Sequence, residues 1–212
     1  MKPELPGPVA DAAAAVRRGE LIVVPTDTVY GIGTRPDEPA ATARLFHAKG
    51  RPRALELPIL VATEAEAWSI GVVDERAERL AVGLWPGAVT IVLRRSSEAA
   101  GWDLGGDPAT VGVRVPRHPL TLTVLAETGP LAVTSANRSG APPATSCDEL
   151  HAVFGEVVAV YLCEERPLEG SASTVVDVTS SPARILRQGA VPAATVAELL
   201  GEEPLLDSPP SR

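Results

Sequence analysis

The chain has 212 residues, 45% hydrophobic but only 3% aromatic, with 19 basic against 27 acidic side chains and a net charge of −8. That length suits one α/β domain, whose core has to be built from Ala, Val, Leu and Ile. No stretch approaches the roughly 20 consecutive apolar residues of a membrane helix, and the acidic balance excludes a protein whose whole surface binds nucleic acid, leaving room only for a local basic pocket.

In chain order, helical and strand patterns alternate, as in an α/β domain with a sheet flanked by helices. Pro8 to Arg18 reads as a helix with Pro near its start and Gly19 as its stop. Leu21 to Val24 is a buried strand, interrupted at Pro25 and followed by the polar, glycine-containing run Thr26-Asp27-Thr28-Val29-Tyr30-Gly31-Ile32-Gly33. Pro39 to Lys49 is a second helix, and Leu57 to Ala62 a strand. Thr63-Glu64-Ala65-Glu66 is a capping box that opens the next helix. Asp74 to Trp85 is helical. VTIVLRR and TVGVRVP are strands on either side of a Gly/Asp-rich loop, Gly101 to Pro108. Pro119 to Thr128 is a helix closed by Gly129, and LAVTSAN a strand running into a turn. A second capping box, Ser146 to Glu149, starts another helix. VVAVYL, STVVDV and ARILRQG are the last three strands, Val191 to Leu200 a closing helix. Residues 1–200 therefore read as one domain and 201–212 as a disordered tail.

The N-terminus carries no convincing signal-peptide pattern. Cys147 and Cys163 stand far apart without a Cys-x-x-Cys, and His47, His118 and His151 make no ligand pattern. The expectation is a soluble, cytoplasmic protein with reduced thiols and no metal held by its side chains.

Several strand ends carry a hydroxyl or a cation where the apolar run stops: Thr26 and Thr28, Thr110 and Arg114, Thr134-Ser135-Ala136-Asn137, Ser173 and Thr174, and Arg187. Ligands of open α/β sheets bind beyond strand ends, although Ser and Thr there also serve as turn residues and caps. Arg114 alternates with valines in VGVRV and so faces away from them. It requires either a salt bridge or an anionic ligand. Lys49, Arg51 and Arg53 form the densest cation cluster, readable as a solvated helix C-terminus or as a polyanion site shared with Arg114 and Arg187. Charge-assisted hydrogen bonds of roughly 1.5–3 kcal/mol each would hold a triphosphate there. Neither a P-loop nor a Gly-x-Gly-x-x-Gly cradle is present. No nucleophile–base pair stands out, so any reaction would rest on positioning and charge stabilisation.

PTDTVYGIG, KGRP, WPGAVTIVL, VGVRVPRHP, TSANRSG, STVVDV and ILRQG, in this order over about residues 8 to 190, resemble the YrdC family of threonylcarbamoyl-adenylate synthases. The family's paired signature, Lys-x-Arg and Ser-x-Asn, stands here as Lys49-Gly50-Arg51 and Ser135-Ala136-Asn137. The resemblance implies a YrdC-like α/β fold, a twisted mixed sheet flanked by helices with a deep ligand cavity. It also implies a nucleotidyltransferase that makes threonylcarbamoyl-AMP from L-threonine, bicarbonate or CO2 and ATP, with Mg²⁺ accompanying ATP and pyrophosphate released. The product would feed the machinery that forms threonylcarbamoyladenosine in tRNA.

By the same resemblance, Thr28, Tyr30, Arg114, Val133 and Ser173 would meet L-threonine, with Arg114 on its carboxylate. Lys49, Arg51, Thr110, Ser135, Asn137 and Arg187 would surround ATP, Lys49 and Arg51 also being catalytic. PTDTVYGIG would wall the threonine pocket, its glycines letting the backbone approach the ligand. The sequence departs from the family after KGRP, where Arg53-Ala54-Leu55-Glu56 replaces the usual Asp-Lys/Asn-Pro pattern, and at Pro143, where some relatives have a serine. The length resembles the short, single-domain form. Two other readings stay open: a double-stranded RNA or ribosome-assembly binding protein, which the net charge disfavours, and a non-synthase paralogue that binds AMP-like ligands.

Overall fold

The computed structural model describes residues 7–206. Its elements in chain order are α1 (Gly7–Arg17), β1 (Leu21–Val24), β2 (Gly31–Thr34), α2 (Pro39–Lys49), β3 (Ile59–Leu60), α3 (Glu64–Ile70), β4 (Gly71–Val72), α4 (Glu75–Leu84), β5 (Val89–Arg95), β6 (Thr110–Arg114), α5 (Pro119–Thr128), β7 (Leu131–Ser135), α6 (Cys147–Phe154), β8 (Val158–Tyr161), β9 (Thr174–Asp177), β10 (Arg184–Arg187), α7 (Ala193–Leu200) and β11 (Leu205–Leu206). Local chemistry sets most helix starts. The Thr63 hydroxyl accepts the Glu66 N–H at 3.2 Å while the Glu66 carboxylate accepts the Ala62 N–H at 2.8 Å. Asp74 accepts the N–H groups of Arg76 and Ala77, both at 3.0 Å, and Ser146 accepts that of Glu149. Helix α2 ends at Gly50, in the left-handed conformation at φ 60°.

The strands form one mixed sheet in the order β11-β10-β9-β5-β6-β3-β7-β2-β1-β8, with β4 paired outside this path to β5. Alternation along the strands divides its faces. Leu21, Val23, Ile59, Val89, Ile91, Leu93, Val111, Val113 and Val176 join the larger apolar cluster with Leu45, Leu80, Leu150 and Val196 from α2, α4, α6 and α7. On the other face Ile22, Val24, Leu60, Leu131 and Val133 pack against Val9, Ala12 and Val16 of α1 and Val124 and Leu125 of α5. The residues of β5, β6 and β9 that point to this second face include Thr90, Val92, Gly112, Arg114, Val175 and Asp177; none of them belongs to that helix-covered cluster. The sheet is therefore double-covered at one end and half open at the other, and the polar strand residues collect on the open half.

The structure corrects several expectations. Gly31–Thr34, given no strand in the sequence reading, forms β2, antiparallel to both β1 and β7. Its glycines make room for a neighbouring strand: a Cβ on Gly31 would lie 2.5 Å from Val133 Cγ1, and one on Gly33 2.6 Å from Val133 Cγ2 and 2.7 Å from the Ala132 carbonyl oxygen. Because that oxygen belongs to a sheet ladder and cannot retreat, Gly33→Ala is expected to destabilise the fold by about 2–3 kcal/mol, read as a lower denaturant midpoint at unchanged slope. The expected strand from Leu57 to Ala62 shrinks to Ile59–Leu60, since the Leu57 N–H turns to the Leu104 carbonyl of the Gly/Asp-rich loop.

Leu205 and Leu206, assigned to a disordered tail, pair in parallel with Arg184 and Ile185 of β10; residues 207–212 of that tail lie outside the described residues. Cys147 and Cys163, expected as free thiols, form a disulfide, because the parallel docking of β8 on β1 brings the chain leaving β8 beside the start of α6, with the two Cα atoms 5.7 Å apart. No described helix is long and apolar enough to cross a membrane.

Candidate active site

The open half of the sheet carries a cleft of two adjoining chambers. The first, of about 110 Å³, is lined by Thr26, Thr28, Tyr30, Gly31, Arg114, Val133, Ser135 and Ser173, among others. The second, of about 480 Å³, runs along β5, β6 and β9 and is lined by Leu55, Glu56, Val92, Gly112, Thr110, Asp107, Asp177 and Leu186, among others. Arg51, Pro58, Thr90 and Arg187 line both chambers and mark their junction.

Arg114 forms one wall of the first chamber and is 6% exposed. Its Nε donates to the Gly87 carbonyl at 2.8 Å, Nη1 to Thr28 Oγ1 at 3.1 Å, and Nη2 to Asp27 Oδ1 at 2.7 Å. The salt-bridge reading of Arg114 is thus correct, with Asp27 as the partner. It does not exhaust the guanidinium: of its five N–H donors, three are used among the described residues. Burial pushes the Arg114 pKa down, and the Asp27 carboxylate opposes this. Asp27 also accepts the Arg117 backbone N–H at 2.8 Å, which ties the carboxylate to the segment entering α5.

Thr28 accepts from Arg114 and lies 2.9 Å from Thr26 Oγ1. Thr26 in turn donates to the Val29 carbonyl, folding the PTDTV segment into a compact turn. Ser173 lies across the chamber, 2.9 Å from Thr90 Oγ1, and accepts from Arg187 Nη2 at 3.0 Å, while Arg187 Nε holds the Ser173 carbonyl. A strap, residues 162–173, brings Ser173 there. Cys163 fastens it to α6, the Leu168 N–H bonds the Thr145 carbonyl, and Gly170 presses on the Thr28 backbone so closely that a Cβ would fall 1.6 Å from the Thr28 oxygen. Glu164, on the same strap, pairs with His118 at 3.2 Å.

The other expected threonine contacts divide. Val133 lines the first chamber, with its N–H bonded to the Pro58 carbonyl. Tyr30 also lines it, but its side chain is fully buried in the larger core cluster and its hydroxyl accepts the Glu164 N–H at 2.9 Å. Its phenol is therefore engaged by the strap.

Of the residues expected around ATP, Arg51, Ser135, Thr110 and Arg187 line one or both chambers, whereas Lys49 and Asn137 line neither. Lys49 is 2% exposed, not the solvated helix end that its position suggests. Its Nζ donates to the Ser135 carbonyl and, at 3.1 Å, to Asn137 Oδ1, which also accepts from Ser135 Oγ at 2.6 Å. Lys49 thus stands behind Ser135, on the far side of the chamber wall. Burial, with a smaller contribution from Arg51, pushes its pKa down to about 7. Arg51 is braced by the Leu55 and Glu56 carbonyls at 3.1 and 2.8 Å, and burial followed by Arg187 pushes its pKa down. Arg53 turns away, forming a bidentate pair with Asp103 at 3.0 and 2.8 Å and lying over the Phe46 ring.

Sequence reading missed Asp27, Thr90 and the carboxylates of the second chamber. Thr90 carried a faint signal, as the one hydroxyl inside the apolar run AVTIVL. Asp27 stood beside the assigned Thr28, but its partnership with Arg114 spans 87 residues.

The molecule is thus an α/β protein whose open sheet face joins a small basic chamber to a larger mixed one. The Sua5/YciO/YrdC family model, described as "Telomere recombination", matches residues 14–189. The chain belongs to this family. A Mycobacterium leprae protein, provisionally named threonylcarbamoyl-AMP synthase, is 41% identical over 197 residues, covering 92% of this chain and 89% of its own. The Pyrococcus abyssi threonylcarbamoyl-AMP synthase is 35% identical over 193 residues, covering 90% of this chain and 56% of that longer protein. The crystal structure of P. abyssi Sua5 complexed with L-threonine superposes with a TM-score of 0.85 at 32% identity, covering 94% of this chain and 58% of that one. E. coli YciO superposes at 0.80 with 25% identity, covering 87% and 90%.

Proposed function

We propose that the chain is a threonylcarbamoyl-AMP synthase, taking L-threonine in the first chamber and ATP in the second. The observation that carries this reading is the junction: Arg51 and Arg187 face both chambers at once, so an anion from each side is neutralised where the two molecules meet. In the first chamber Arg114 offers two unclaimed N–H groups to the carboxylate of an amino acid, and Ser173 and Thr28 present hydroxyls beside it. The relatives named as synthases and the threonine complex of P. abyssi Sua5 support the choice of substrate.

The reaction needs no protein nucleophile. The threonine amine adds to CO2 to give a carbamate, losing one proton. A carbamate oxygen then attacks the α-phosphorus of ATP, forming the mixed anhydride as the bond to pyrophosphate breaks. The chain's contribution is to hold the carbamate and the α-phosphate in line at the junction and to offset the developing charge with Arg51 and Arg187. Mg²⁺ enters as part of the Mg–ATP substrate. Such an acyl-adenylate is a group donor, so a transferase acting on a tRNA adenosine is the class of enzyme that would consume it. The net charge of −8 argues that this chain does not itself grip RNA.

The test is pyrophosphate release from Mg–ATP and bicarbonate, with and without L-threonine. Release that requires both threonine and bicarbonate is the expected result. A folded, ATP-binding protein that releases none would overturn the synthase reading in favour of a non-synthase nucleotide binder.

A further inference from the structure

The second chamber has a polarity of its own. At the junction stand Arg51 and Arg187; away from it the lining carries the carboxylates of Glu56, Asp107 and Asp177. A triphosphate is repelled from three carboxylates and drawn to two guanidinium groups, so a nucleotide lies with its phosphates at the junction and its nucleoside towards the acidic end. The strand register agrees. Thr90 pairs with Val175 near the junction, Val92 with Gly112 and Asp177 beyond it, and Arg94 with Thr110 farther still. Gly112 keeps the middle of this floor bare.

Two features mark the acidic end. Leu55 and Leu186 are large apolar side chains, 47% and 41% exposed, and both line this chamber. Glu56 also lines it and forms an ion pair with Arg95, whose Nη2 stands 3.6 Å from the buried Oε1, a separation at which neither atom gains a hydrogen-bond partner. Arg95 Nε and Nη1 donate to the carbonyls of Thr110 and Trp102. By contrast, Asp177 Oδ1 accepts from the N–H and hydroxyl of Thr179, and Asp107 Oδ1 accepts the Ala109 N–H. Glu56 differs from them in having a cation beside it and no hydrogen-bond donor on Oε1.

We propose that Glu56 reads the nucleobase, its carboxylate accepting the exocyclic amine of a 6-aminopurine that lies against Leu55 and Leu186. This rests on the nucleotide reading of the second chamber given above. A flat apolar ring covers the two exposed leucines, and its amine donates to the Glu56 carboxylate where that side chain lines the chamber. The main-chain carbonyl of Glu56 already accepts from Arg51 Nη2, so base reading and phosphate binding are joined through one residue. Burial raises the Glu56 pKa to about 7, with Arg95 opposing and Asp107 and Asp177 reinforcing the shift. Arg51, bonded to the Glu56 carbonyl, is a further charged group beside this segment. The acceptor therefore becomes fully charged only above neutrality.

Equilibrium affinities for ATP and for purine riboside triphosphate, which lacks the 6-amino group, test this by calorimetry on the full chain. Wild type is expected to prefer ATP by roughly ten- to hundredfold at pH 8, the worth of a hydrogen bond to a charged acceptor, with the preference shrinking at pH 6. Glu56→Met should bring the ratio close to one, and Glu56→Gln should restore part of it. A wild-type ratio near one, or a preference that is independent of pH and survives Glu56→Met, overturns the inference, and the wild-type pH series decides the matter even if the Met variant fails to fold. Binding is the readout, so a negative pyrophosphate assay would count against the synthase reading alone.

Discussion

Replacing Arg114 with Ala raises the KM for L-threonine about a hundredfold or more and leaves the KM for ATP within about threefold. Arg114 is the cation of the first chamber held from three sides, by Gly87, Thr28 and Asp27. Those bonds fix the plane of the guanidinium and leave two donors for a carboxylate, so the cost of orienting the group is met before the ligand arrives. Removing the side chain also leaves Asp27 without its cation, and a thermal melt is needed alongside the kinetics. Arg114→Lys separates the two effects: it keeps a charge near Asp27 but lacks the planar fork, and the KM for threonine should still rise about tenfold. A folded Arg114→Ala enzyme with an unchanged threonine requirement would remove Arg114 from the amino-acid site.

Lys49→Met is expected to make the protein more stable and to impair its use of ATP. In the folded chain the Lys49 pKa is about 7 against an ordinary 10.5. Between those values the unfolded chain binds the proton and the folded chain does not, so wild-type stability rises with pH through this window. Below pH 7 the ammonium stays charged in both states, and the folded state carries the full cost of burying it. The Met variant escapes that cost, on the order of 4 kcal/mol, less about 1 kcal/mol for each hydrogen bond that Ser135 and Asn137 lose. Its advantage is therefore greatest near pH 6 and fades towards pH 10, which parallel denaturant titrations at the two pH values would show. A pH-independent difference would mean that Lys49 is not desolvated. In the wild type a nearby triphosphate should restore the charge, so nucleotide binding above pH 7 takes up a proton, visible as a buffer-dependent binding enthalpy.

Much of the scaffold was legible because it is local. Pro39, the Thr63 and Ser146 boxes, Gly50 and Gly129 each act within a few residues of themselves, and the helices they bound lie close to where the pattern puts them. The alternation in VGVRV placed Arg114 on the face opposite its valines. What stayed hidden depends on distant partners. The glycines of β2 answer to Val133, about 100 residues away, and nothing near them distinguishes a strand packing tightly from a backbone approaching a ligand. Lys49 looked solvated because a basic helix end usually is; the β7 turn that buries it begins 86 residues later. The cysteine pair, likewise, depends on β8 docking in parallel beside β1. Glu56 was noticed only as a departure from its family's pattern, since its pairing with Arg95 and its place in the second chamber depend on segments brought together from far apart.

Gly170 lies on the Thr28 backbone, and Ser173 sits across the first chamber from the turn that follows β1. Two facing walls of the first chamber thus come from segments far apart in the chain, and the chamber is closed only once the strap has been laid over the finished sheet. A ligand held there would bridge the turn after β1 to the strap that leads into β9. Threonine should therefore act as a lock on the whole domain, raising its melting temperature with concentration as a ligand that binds only the native state does. Slowed hydrogen exchange should then spread well beyond the residues it touches, to strands β1 and β9 alike.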